Sequence, residues 1–74
     1  MDVRREITER RLPVPAVRRA IREASGVSAV ELAESLGVSR YTVYGWEKGR
    51  REPRGDDRKA YGAWLEAARE VVDV

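Results

Sequence analysis

The sequence contains no cysteine, no histidine, no asparagine, no glutamine and no phenylalanine, and each gap removes a class of chemistry. Without cysteine there is neither a disulfide framework nor a thiolate metal site. Without histidine the commonest general base and metal ligand is missing. No apolar run approaches the length of a membrane span, and the opening MDVRREITERR is charged where a signal peptide needs apolar residues. A reducing cytosolic location and no membrane association are the expectation. At 74 residues the chain is read as one domain, 1–74, near the lower size limit for folding on a single core. No nucleophile–base pair, metal-ligand cluster or phosphate-binding glycine loop is present, so an enzyme is not expected, and neither is a metal or a cofactor.

What is present is positive charge, unevenly spread. The net charge is only +2, yet residues 39–54 hold Arg40, Lys48, Arg50, Arg51 and Arg54 against Glu47 and Glu52. Residues 12–23 add Arg18, Arg19 and Arg22 against Glu23, whereas 24–38 and 55–74 lean acidic. That polarity predicts a face that meets a polyanion, with an ordinary solvated surface as the bland reading. Arginine supplies 13 of the 15 basic residues, a bias that fits a GC-rich coding sequence and says nothing of chemistry.

Periodicity and punctuation predict helices and no strands. Asp2 caps a short segment with Val3 and Ile7 four apart, read as a helix or a basic arm over 1–12 and stopped at Leu12-Pro13. Pro15 suits a first helical position, and Val17, Ala20, Ile21 and Ala24 recur at helical spacing until Gly26. Ser28 and Glu31 form a capping box. The helix they open is expected to turn Val30, Ala33 and Leu36 inward, with Leu32 alongside, and to close at Gly37. Ser39 caps the next helix, which leaves through Gly49. A last helix over 56–72 starts with Asp56 and Asp57 at its positive end and carries Tyr61, Trp64, Leu65, Ala68 and Val72 as an apolar stripe. The fold class is all-α, a bundle of four to five helices.

On a helical wheel Val43 and Trp46 mark the core face of the segment opened by Ser39, with Thr42 and Glu47 beside them. Arg40, Tyr41, Tyr44, Gly45 and Lys48 fall opposite. Only Gly37 and Val38 separate the end of the Ser28 helix from the cap of this one, which makes residues 28–49 a helix-turn-helix. In that motif the second helix enters the major groove and offers its N-terminal residues to base edges.

The run from Ile21 to Pro53 resembles the Cro and lambda-repressor (XRE-like) helix-turn-helix family. The resemblance rests on Arg22-Glu23 before Gly26, Glu31-Leu32-Ala33, Leu36-Gly37-Val38-Ser39, Thr42-Val43 and Trp46-Glu47-Lys48-Gly49 with Pro53. It implies base reading from Arg40, Tyr41 and Gly45, and phosphate contact from Ser39, Thr42, Lys48 and the loop after Gly49. It also implies an ion pair between Arg22 and Glu47. Relatives often carry Gln where this chain has Ala29, and a longer polar side chain where it has Gly45. Their C-terminal part usually holds two helices, whereas 56–72 fits one; the Val3/Ile7 segment is expected to cover the face so left.

The chemistry of the face agrees with that. Arg40 can donate two hydrogen bonds to guanine O6 and N7, and Tyr41 and Tyr44 each offer a phenol and a ring edge. Ser28, Ser39, Thr42, Lys48, Arg50, Arg51 and Arg54 are the phosphate candidates. With no asparagine or glutamine, adenine cannot be read by the usual bidentate amide. The expected function is sequence-specific binding of double-stranded DNA as a small Cro-type repressor on a two-fold operator, with a second copy as partner through Val71, Val72 and Val74. A DNA-binding antitoxin and a protein-interaction module on the same fold are the alternatives. No small-molecule ligand is expected.

Overall fold

The computed structural model describes residues 11–72, so the helix or arm expected over 1–12 lies, except for its last two residues, outside the described residues. Residues 11–14 are not helical. Four helices follow: α1 (Pro15–Ala24), α2 (Ala29–Leu36), α3 (Arg40–Lys48) and α4 (Gly55–Val72). No strand occurs among the described residues, and none of the helices is long and apolar enough to cross a membrane.

Local chemistry sets their ends. Pro15 stands at the start of α1 behind an extended Val14, where its missing N–H costs no helical hydrogen bond. At α2 the Ser28 Oγ accepts from the Glu31 N–H at 3.0 Å, and the Ser28 N–H donates to Glu31 Oε1 at 3.0 Å. This reciprocal pair satisfies two orphan amides, and the backbone hydrogen bond in particular holds the Glu31 carboxyl below its ordinary pKa. Ser39 repeats the cap at α3, accepting from the Thr42 N–H at 3.2 Å. Gly37 and Gly49 close α2 and α3 at φ of 69° and 73°, a left-handed backbone that favours glycine. Asp56 and Asp57 sit in the first turn of α4, which begins one residue before the expected Asp56.

α2 packs on α3, α1 lies against both α3 and α4, and α4 also meets α2. Their shared core is Ile21, Ala29, Leu32, Ala33, Val43, Trp46, Tyr61 and Leu65, flanked by half-buried Leu12, Val27, Leu36, Val38, Trp64 and Ala68. The expected inward stripe of α2 is rotated: Val30 is 41% exposed while Leu32 is fully enclosed. Stripes through Val30 and through Ala29 and Leu32 both include Ala33 and Leu36. Packing selects the one that buries the larger leucine and brings alanines to the contact, where backbones can approach closely. On α1, Val17, Ala20 and Ala24 face outward, and Ile21 alone of the expected apolar set reaches the core.

Trp46 meets Tyr61 in a stacked pair with ring centroids 4.6 Å apart. Tyr61, not Trp64, is the central aromatic of α4: it is fully buried, and Trp64 only half so. The Tyr61 hydroxyl has no hydrogen-bond partner among the described residues. Burial, with Glu47 nearby, pushes its pKa up to about 12. The unfolded chain ionises this phenol near pH 10, so the contribution is intact below pH 10 and is lost as pH rises from about 10 to 12. Tyr61→Phe keeps the ring stack and deletes the unsatisfied hydroxyl, so its Tm should equal or exceed that of the parent, with a smaller loss at alkaline pH. Thermal melts at pH 7 and pH 11 check this; a lower Tm at pH 7 would show that the hydroxyl is bonded.

Candidate nucleic-acid interface

The outward face of α3 is set by what its other side buries. Val43 and Trp46 lie in the core with 0% and 2% exposure, and Glu47 follows them inward. Arg40, Tyr41, Tyr44 and Lys48 are left exposed, and Thr42 and Gly45 are half-buried at the margin.

Two arginines of α1 lock this orientation. Arg22 makes a two-pronged pair with Glu47, Nε to Oε2 at 2.6 Å and Nη2 to Oε1 at 2.9 Å. Its Nη1 also donates to the Val27 carbonyl at 3.0 Å. The side chains are 11% and 3% exposed, and the hydrogen bond to Glu47 raises the Arg22 pKa against the opposing effect of burial. Arg18 is a second clamp. Its Nε donates to the Pro13 carbonyl at 2.6 Å and its Nη1 to the Trp46 carbonyl at 3.1 Å, while both terminal nitrogens reach the Glu52 carboxylate. One guanidinium thus ties the segment before α1, the end of α3 and the loop after it. From the sequence Arg18 counts toward a basic surface, but it is only 4% exposed. Its i, i+3, i+4 relation to Ile21 and Arg22 was the available signal: those positions share the buried side of α1.

On the outward side Arg40 and Tyr41 are preorganised as a unit. The Arg40 guanidinium carbon lies 5.1 Å from the Tyr41 ring centroid, and Nη2 donates to the phenol oxygen at 3.2 Å. Ser39 and Thr42 share a hydroxyl–hydroxyl bond of 3.1 Å at the start of the helix. The Ser28 hydroxyl is occupied as an acceptor in its capping box. After Gly49 the chain turns back along α3, and the N–H groups of Arg50 and Arg51 both donate to the Gly45 carbonyl, at 3.0 and 3.3 Å. Pro53 is buried, whereas Arg50, Arg51 and Arg54 are exposed. An open groove between α3 and this loop gathers Ser39, Thr42, Arg50, Arg51 and Arg54 over a floor that includes Trp46 and Pro53, with Asp57 also along it.

Ion pairing distinguishes α1 from α3 and its loop. Each arginine of α1 has a carboxylate: Arg18 has Glu52, Arg19 has Glu23 at 2.6 Å, and Arg22 has Glu47. Arg40, Lys48, Arg50, Arg51 and Arg54 have no carboxylate partner among the described residues. Glu47 and Glu52, which nominally dilute the charge of residues 39–54, are both engaged by α1. The exposed cations of α3 and its loop thus form no ion pair among the described residues and suit a multivalent anion.

Comparison with known proteins agrees with this geometry. A family model described as Helix-turn-helix matches residues 19–57, from α1 through the first residues of α4. No curated protein and no solved structure shows a significant match.

Proposed function

The chain belongs to the XRE-like helix-turn-helix DNA-binding family, and from that premise we propose that it is a small Cro-type transcriptional repressor that acts on a two-fold operator. The observation that carries this reading is the set of exposed cations on α3 and its loop that have no carboxylate partner among the described residues, while the arginines of α1 are paired. A protein-docking face would instead need an apolar patch. The large hydrophobics exposed on α3 are Tyr41 and Tyr44, both of which carry a hydroxyl.

In the proposed complex α3 lies in the major groove. Arg40 donates to O6 and N7 of a guanine, and Tyr41 steadies its guanidinium and offers a phenol to a neighbouring base. Tyr44 and Gly45 lie along the same face. Lys48, Arg50 and Arg54 neutralise phosphates and, with the hydroxyls of Ser28, Ser39 and Thr42, set the register without reading sequence. One helix reads only a few base pairs, so specificity comes from two copies on half-sites about one turn apart. Val71, 74% exposed near the end of α4, is a contact candidate between copies; Val74 lies outside the described residues, and nothing is described of the Val72 side chain.

The test is selection of bound sequences from a random duplex pool, followed by competition against single-base variants. Arg40→Ala should lose about 1–3 kcal/mol on the selected site, with discrimination relaxed at one guanine and little change on unrelated DNA. Failure to enrich any sequence would sink the repressor reading. A footprint of one chain on one asymmetric site would overturn its two-fold form.

A further inference from the structure

Gly45 is a glycine inside a helix whose backbone does not require one. The glycines with left-handed φ are 26, 37, 49 and 55, and Gly45 is not among them, so conformation does not explain its presence. Space does. A Cβ built at position 45 would stand 3.2 Å from Arg51 Cδ, 3.3 Å from its Cγ and 3.5 Å from its Cβ. The stem of a loop arginine is laid across the gap where a helix side chain would begin.

The loop is built to hold it there. The Arg50 and Arg51 N–H groups are bonded to the Gly45 carbonyl itself. Glu52, the next residue, is gripped by buried Arg18, and Pro53 is sunk into the domain. Arg51 is thus anchored on both flanks, and on the α3 circumference Gly45 falls between Tyr41 and Thr42. We infer that Arg51 supplies, from the loop, the base-reading side chain that α3 lacks at Gly45, so that Arg51 and Gly45 together determine specificity at one base pair. This rests on the DNA-binding reading above and replaces a phosphate role for Arg51. A guanidinium carried on that stem would suit a guanine edge, where its fork can donate to O6 and N7 together.

The experiment compares the full chain with Arg51→Lys, Arg51→Ala, Gly45→Gln and Arg50→Ala in selection from a random duplex pool and in competition binding, with helical circular dichroism and melting as the control for folding. Arg51 is exposed, so its variants should fold normally. Arg51→Lys keeps the charge and loses the fork. It should cut the preference at one base pair by about 5- to 150-fold while binding to unrelated DNA stays within about twofold. Gly45→Gln, whose side chain takes the space of the Arg51 stem, should reset the preference at that same base pair. Arg50→Ala should weaken all sequences alike. The inference is overturned if Arg51→Lys keeps the full base preference, if Arg51→Ala weakens every sequence by one factor, or if Gly45→Gln and Arg51→Lys act on different base pairs. If the parent chain binds no duplex at all, the inference falls together with the reading beneath it, and that outcome is distinct because it appears before any variant is made.

Discussion

Glu47→Ala is expected to remove most of the domain's stability at ordinary temperature. Glu47 is buried and holds both prongs of Arg22 at 2.6 and 2.9 Å. Removing it strands a guanidinium that is 11% exposed, and breaking a buried pair by deleting one partner costs about 3–5 kcal/mol. Whole domains are stable by only about 5–15 kcal/mol, and one this small belongs at the lower end. For a chain of this length the loss corresponds to a fall in Tm of more than about 10 °C. Arg22→Ala should be at least as damaging, because the Val27 carbonyl also loses its donor. The double replacement Arg22→Met with Glu47→Leu separates pairing from packing. With no charge left unpaired, it should recover much of the lost stability. Thermal melts of the three variants decide: a Glu47→Ala protein that melts with the parent would show that the pair does not hold α1 to α3.

The second large effect is on binding. If about four to six phosphates are neutralised, log K should fall with log[salt] at roughly −0.9 per phosphate. Between about 50 and 200 mM salt, affinity should then drop about 10²- to 10³-fold. The candidates for this slope are Lys48, Arg50 and Arg54, exposed and free of carboxylates among the described residues, with a second copy doubling the set. Arg50→Ala or Arg54→Ala should each lower the slope by about one per copy and weaken all sequences by similar factors. Arg18→Ala should leave the slope nearly unchanged and damage folding instead, because that side chain is clamped to Glu52 and to two backbone carbonyls. Equilibrium titrations at several salt concentrations read all of this directly. A flat salt response of the parent chain would remove the DNA-binding reading of the cationic face.

The same contrast among arginines marks the boundary between what could be read from the chain and what could not. Arg18, Arg22, Arg50 and Arg51 are alike as letters. Arg22 is placed correctly by its likeness to a family pattern together with Glu47. Arg18 cannot be placed that way, because its partners are carbonyls at positions 13 and 46 and a carboxylate at 52, which converge only once α1 lies across the end of α3. Likewise the sequence shows at Gly45 only that a side chain is missing from the outward face of α3. The actual neighbour, Arg51, comes from a loop whose path Gly49 and Pro53 suggest without fixing.

The order of residues sufficed for the helices and the helix-turn-helix spacing, because those depend on neighbours three or four residues apart: Pro15 starting α1, Ser28 with Glu31, Ser39 with Thr42, and Gly37 and Gly49 closing α2 and α3. It also determined which side of α3 looks outward, since Val43 and Trp46 have only one direction in which to be buried. Tertiary structure alone decided the rotation of α2 that exposes Val30 and encloses Leu32, the choice of Tyr61 over Trp64 as the stacking partner of Trp46, the burial of Arg18 and the laying of Arg51 over Gly45. Each of these is a competition between side chains for the same space, settled by elements distant in the chain.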